Sequence, residues 1–290
     1  MFLSTLTFGL VLGGTYALIA LGLSLQYGIA RIMNLSYGES IIAAAFLAFV
    51  LMTGHGITPL WTLLLAAPLG YAVSWLLYQG MMRPLVRRSG GGGRLEVDSI
   101  LATFGLLFVV QGVLLVVFGG NYHSYSYLSQ GVDVFGTTVA ANRLLAFALS
   151  VTVGAGLYLA LVRSRWGLAL RAVSIAPESA PLVGLDVNRV ARAGFALGGA
   201  LAMAGGVMIS MYQTFSASYG VLFTMKALVV VIMGGVGNLM GALVAGLMLG
   251  LIETFVSVYV DPGLTLAATY ALFLGVLLWR PAGLFGKVGG

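Results

Sequence analysis

Residues 163–192 read RSRWGLALRAVSIAPESAPLVGLDVNRVAR, and the rest of the chain is understood by contrast with them. The stretch holds five arginines, two acids and two prolines, with no long apolar run. On both sides of it the sequence reads as membrane-spanning helix. Helix–helix connections in compact bundles are typically about 2–8 residues, so this loop is longer than a turn requires. Within it, Pro177-Glu178-Ser179-Ala180 reads as a helix start: proline suits the first turn, and an acid favours the positive end of the helix dipole. Gly184 reads as the stop. A short helix lying on the membrane surface is expected.

Composition agrees. Of 290 residues, 60% are hydrophobic and 8% charged, and the mean hydropathy is +1.05. A soluble domain carries about 25% charge. The expected fold is an all-α integral membrane protein, one transmembrane domain over residues 1–290, with about eight or nine segments of about 20 residues. With no cysteine, disulfides and cysteine-ligated metals are excluded. The net charge of +6 sits in a few inter-helix loops, which points to membrane orientation and away from nucleic acid. Met1-Phe2-Leu3-Ser4 lacks a basic n-region, so no cleavable signal peptide is expected.

Apolar runs fall at 4–29, 39–53, 57–80, 99–119, 140–162, 193–214, 225–238, 240–260 and 264–280. If each run crosses, three basic groups share one side: Arg83, Arg87, Arg88 and Arg94; Arg163, Arg165, Arg171, Arg189 and Arg192; Arg280 and Lys287. The positive-inside rule makes that side the cytoplasm. Loops near 53–57, 120–139 and 261–263 are poor in lysine and arginine. The N-terminus is therefore expected outside and the C-terminus inside. Gly90 to Gly93 reads as a flexible cytoplasmic linker.

Two places break the apolar pattern. Met225 to Met240, MKALVVVIMGGVGNLM, contains Gly234, Gly235, Gly237 and Asn238, and glycine costs about 1 kcal/mol in a helix relative to alanine. It reads either as a bent helix lining a pathway or as close helix packing through small residues. Ile32 to Ser40, IMNLSYGES, gathers Asn34, Ser36, Tyr37 and Glu39. It reads either as an interfacial turn or as a discontinuous helix facing a transport route. Paired broken segments in two halves of a chain point to a transport site. Gly246-Leu-Met-Leu-Gly250 fits the small-xxx-small pattern of tight helix contact.

The inventory excludes catalysis. His55 and His123 fall in predicted external loops without a second ligand at metal spacing. No phosphate-binding loop with its lysine occurs, so this chain is not expected to bind or hydrolyse ATP. Glu39, Lys226 and Glu253 lie in or beside apolar runs, where a charge must pair, face water or sit at an interface. Glu39 and Lys226 are near run ends, which suggests interfacial placement. Glu253 is more central and suits a pathway or helix-pairing role. A proton-coupled carrier would use a fuller relay than this. Energy must then enter through a contact, and residues 163–192 are the one substantial cytoplasmic feature able to offer it to a soluble motor protein.

Here the sequence meets a known pattern. Glu178-Ser179-Ala180-Pro181-Leu182-Val183-Gly184 resembles the E-A-A-x-x-x-G signature of bacterial ABC-importer permeases, with serine at the first alanine position. Gly14-Thr-Tyr-Ala-Leu-Ile-Ala-Leu-Gly22, Asn34-Leu-Ser-Tyr-Gly-Glu39, SRWGLALRAV from Ser164, Gly184-Leu-Asp-Val187, Gly234-Gly-Val-Gly-Asn-Leu-Met-Gly241 and Arg280-Pro-Ala-Gly-Leu-Phe285 are similar to the branched-chain amino-acid permease family, LivH-type branch. They run from the first span to the last. The resemblance implies a multi-pass permease of the bacterial inner membrane. Its partners would be a second permease subunit, identical or homologous, two cytoplasmic ATPases that hold ATP and Mg, and an external solute-binding protein. It implies a coupling contact at Glu178, Ala180 and Gly184, with Arg171, Pro177 and Asp186 beside it. Asn34, Tyr37, Glu39, Gly234, Gly235, Gly237, Asn238 and Glu253 would line the pathway. One departure stands out: family members often carry Asn-Phe-Ala-His-Gly-acid where this chain has Asn34-Leu35-Ser36-Tyr37-Gly38-Glu39. The solute could then be a hydrophobic amino acid, or urea, a short amide or an aromatic acid. The rival classes are a self-sufficient secondary carrier or channel and a structural membrane subunit.

Overall fold

The computed structural model describes residues 2–89, 93–134 and 137–286. Among them are nine helices long and apolar enough to cross a membrane. Of the expected glycine linker only Gly93 is described, where it opens a helix; Gly90 to Gly92 and Lys287 lie outside the described residues.

In chain order the elements are α1 (Phe2–Ala30), α2 (Tyr37–His55), α3 (Pro59–Leu77), a π-helical turn at Tyr78–Met82, α4 (Arg83–Ser89) and α5 (Gly93–Phe118). A hairpin follows, β1 (Gly131–Val134) and β2 (Thr137–Ala140), then α6 (Ala141–Arg163), α7 (Arg165–Ile175), α8 (Val187–Ser210), α9 (Gly220–Gly234), α10 (Leu239–Tyr259) and α11 (Thr265–Trp279). Each boundary has a local cause. Arg31 turns into the left-handed region at φ 51° and ends α1. Gly56, at φ 66°, closes α2 while its N–H bonds the Met52 carbonyl, and Pro59 opens α3 at a position where a missing N–H does no harm. The π-turn passes α3 into α4 without a break and turns Tyr78 and Met82 inward.

α1 and α8 are central. Nearly all of their inner faces are buried, whereas α3, α5 and α11 expose Leu64, Val116 and Leu278 to the lipid side. A close seam joins α1 to α10 through glycine. A Cβ added to Gly250 would lie 2.2 Å from the Gly13 nitrogen, and one added to Gly246 would lie 2.5 Å from the Ala17 Cα. The small-xxx-small pattern is thus used inside the chain, against its own first helix.

The structure alters two local expectations. The helix of the 163–192 loop is α7, which starts ten residues or so before Pro177. Ser164 caps it by accepting from the Gly167 N–H. Pro177 terminates rather than begins it, because a residue before proline avoids the helical region; Ala176 sits at φ −139°, ψ 73°. A single 3₁₀ turn, Ala180–Val183, then ends at Gly184 with φ 79°, so the expected stop is real. The second change is the antiparallel hairpin within the 120–139 loop, pairing Val132 with Val139.

Candidate functional site

One end of the bundle is built from the 163–192 loop. The Arg171 guanidinium donates to the Val162 carbonyl at 3.3 Å, holding α7 against the end of α6. Asp186 caps α8 by accepting from the Arg189 N–H at 3.1 Å. Ala180 is buried, while Pro177 is half-buried and Glu178, Gly184 and Asp186 face outward. The turn also presents Leu182 and Val183, which are 86% and 74% exposed. Apolar side chains are held out on a short, proline-stiffened turn as an exposed knob. Charge and motif draw attention to Glu178; the signal for Leu182 and Val183 is an apolar pair set between Pro181 and Gly184.

At the same end, Gly234 to Asn238 form the corner between α9 and α10. Gly235 and Gly237 have φ of 99° and 76°, which favour glycine. Asn238 caps α10 by accepting from the Gly241 N–H, and its amide donates to the Phe285 carbonyl at 2.9 Å. A Cβ on Gly234 would lie 2.4 Å from the Gly241 carbonyl carbon. Of the two readings, these contacts supply close packing. They pin the corner to the last described turn, where the Leu284 N–H bonds the Met233 carbonyl.

The 31–36 break is different. It climbs back into the bundle as irregular backbone, and side-chain hydroxyls satisfy part of it. The Met33 N–H donates to Ser99 Oγ and the Leu35 N–H to Thr103 Oγ1, one turn apart on α5. The Gly38 N–H donates to Thr224 Oγ1 of α9 at 2.8 Å. Asn34 ties the segment to α1 by donating to Gln26 Oε1, and Tyr37 donates to the Ile19 carbonyl. Irregular backbone within a membrane protein survives where protein covers it in this way. Glu39 is carried inward with the segment and is 0% exposed. Neither carboxylate oxygen has a hydrogen-bonding partner among the described residues, and the carboxylate lies against Gly220. The Glu39 side chain is thus enclosed by the bundle rather than held at its surface.

Lys226, by contrast, has a partner. Its ammonium lies 2.8 Å from Glu253 Oε1, with the two side chains 20% and 6% exposed. It also donates to the Tyr16 hydroxyl at 2.7 Å, which in turn donates to Glu253 Oε2 at 2.8 Å. Thr269 Oγ1 donates to the other carboxylate oxygen at 3.0 Å. Among the described residues this is the only ion pair, and it joins α9 to α10 and α1. It lies on a cavity of about 480 Å³ that also receives Phe8, Arg143, Tyr212, Phe223 and Leu266. The cavity is at the end away from the 163–192 loop, since Tyr212 follows α8 and Thr265 opens α11. Burial pushes the Tyr212 phenol up to about 12, so it stays neutral, bonded to Thr15 at 2.8 Å.

Asn34, Tyr37 and Glu39 thus gather at one place, Gly234 to Asn238 at a second and Glu253 at a third. No three His, Cys, Asp or Glu side chains among the described residues group as a metal site.

A family model described as the permease component of branched-chain amino acid transport systems matches residues 5–279. The chain is similar to the high-affinity branched-chain amino acid transport system permease protein BraD of Pseudomonas aeruginosa, with 30% identity covering 99% of this chain and 96% of that one. It is 29% identical to the permease protein LivH of Salmonella typhimurium over the same shares. A probable LivH of Methanocaldococcus jannaschii is 26% identical over 83% of this chain and 77% of its own.

Proposed function

The chain belongs to the branched-chain amino acid transport permease family and is a multi-pass membrane permease subunit, and from that premise we propose that it is the gate of an ATP-driven importer for branched-chain or similar hydrophobic amino acids. The observation that carries the reading is the knob at Ala180–Gly184, an exposed apolar turn at one end of a chain whose family match is nearly complete. In this reading the knob sits in a groove of a cytoplasmic ATPase, the N-terminus is outside and the C-terminus inside, and the membrane is the bacterial inner membrane. Two ATPase subunits supply ATP and Mg, a second permease completes the pathway, and an external binding protein delivers solute. Nucleotide binding biases the bundle between inward-open and outward-open states.

The test is uptake by the assembled transporter in liposomes. Gly184→Arg and Glu178→Lys are expected to abolish ATP-driven L-leucine uptake while the chain still inserts and assembles in normal amounts. Normal uptake by either well-inserted variant removes the coupling assignment.

The buried, unpartnered Glu39 favours one rival, a proton-driven carrier, because an intramembrane carboxylate is a common proton relay. The permease reconstituted alone discriminates: a carrier moves leucine down a proton gradient without any ATPase.

A further inference from the structure

The cavity around Lys226 and Glu253 has three properties that belong together. Its volume, about 480 Å³, falls in the usual range of roughly 300–1,000 Å³ for small-molecule sites. Part of its wall is apolar, from Val11, Leu12, Leu222, Phe223, Val258 and Leu266. Its charged groups are two cations and one anion: Lys226 and Glu253 are paired, and Arg143 stacks on the Phe8 ring at 4.8 Å without a carboxylate partner among the described residues.

Such charges are expensive within a membrane unless compensated. When the cavity is empty, Lys226 and Glu253 compensate each other through the 2.8 Å contact and the bridging Tyr16 hydroxyl. A zwitterion can take over both roles. Its ammonium replaces that of Lys226 on Glu253, its carboxylate replaces that of Glu253 on Lys226, and Arg143 adds a second partner for the carboxylate. The total charge is unchanged, and no buried charge is stranded. A singly charged or neutral molecule of the same shape cannot do this, because opening the pair for it leaves Lys226 or Glu253 without a partner.

We propose that this cavity is a binding site for α-amino acids with branched apolar side chains, entered by exchange with the Lys226–Glu253 ion pair. Arg143 and Lys226 hold the carboxylate, Glu253 holds the ammonium, and the apolar wall takes the side chain. Tyr16 is a positioning residue that keeps the pair aligned when the site is empty. The inference rests on the importer reading and adds to it a solute site within this chain, independent of the external binding protein.

The test uses the purified permease–ATPase complex in nanodiscs, without the binding protein, and equilibrium binding of tritiated L-leucine. Saturable binding is expected. L-Valine should compete for it, while 4-methylpentanoate (carboxylate only) and 3-methylbutylamine (ammonium only) should compete at least tenfold more weakly. Arg143→Gln leaves the ion pair in place, so its complex should assemble normally yet bind leucine at least tenfold more weakly. Glu253→Gln should lose binding, with partial recovery in Glu253→Asp. Unchanged leucine binding in an assembled Arg143→Gln complex, or equal competition by the amine alone, overturns the site. So does absence of saturable binding in a wild-type complex that performs ATP-driven leucine uptake once the binding protein is added. Absence of that uptake under any condition strikes instead at the importer reading.

Discussion

Glu39 and Glu253 are both buried carboxylates among membrane-spanning helices, yet the chain treats them in opposite ways. Glu253 receives an ammonium, a phenol and a hydroxyl from three different helices, α9, α1 and α11. Among the described residues Glu39 receives no hydrogen bond, and it lies against a glycine. The difference separates two uses of a buried acid. A compensated acid ties helices together; an uncompensated one awaits a movement that brings it a partner.

Substitutions can break this contrast, and the largest effect is expected at Glu253. Glu253→Gln strands Lys226 and should cost about 3–5 kcal/mol, read as a lower unfolding midpoint of the detergent-solubilised protein. Adding Lys226→Met should recover much of that loss, because no charge is then left alone; equal damage in single and double variants would remove the compensation account. Next comes Gly38→Ala, beside Glu39. Its Cβ would lie 1.8 Å from the Gly220 carbonyl oxygen and 2.5 Å from Thr224 Oγ1, an overpacking expected to cost about 1–3 kcal/mol by the same measurement. Gly184→Ala meets no neighbouring atom within 4 Å and strains only the left-handed backbone at φ 79°. A loss of about 1 kcal/mol is expected, with leucine uptake falling more than stability does. The smallest change is Glu39→Gln. With no partner to lose, it should move the unfolding midpoint by less than the equivalent of about 1 kcal/mol, and a loss as large as that of Glu253→Gln would reveal a hidden cation.

The sequence made some of this visible and hid the rest for physical reasons. The nine spans follow from apolar run length, because the bilayer fixes how long an element must be. The two breaks follow from polar and glycine clusters, and Gly184 from its place after a turn. Lys226 could not be paired with Glu253 in the same way. They lie 27 residues apart on separate helices, and no local period records which helix faces which. Pro177 misled because proline is equally at home one residue past a helix and at its first turn. The burial of Glu39 is not legible because it depends on residues 31–36 being held against the hydroxyls of Ser99 and Thr103, which lie 66 and 68 residues on from Met33 and Leu35.

The glycine seam between α1 and α10 has a consequence for how the protein is made. Tyr16 and Glu253, which meet beside that seam, are 237 residues apart, and ribosomes add about 5–20 residues per second. The first helix therefore waits on the order of 10–50 s before its mate is synthesised, with the bare backbone at Gly9 and Gly13 turned toward lipid or an insertion chaperone. Nascent chains arrested before α10 should be held by that chaperone and handed to quality-control proteases, whereas chains released after α10 should escape both.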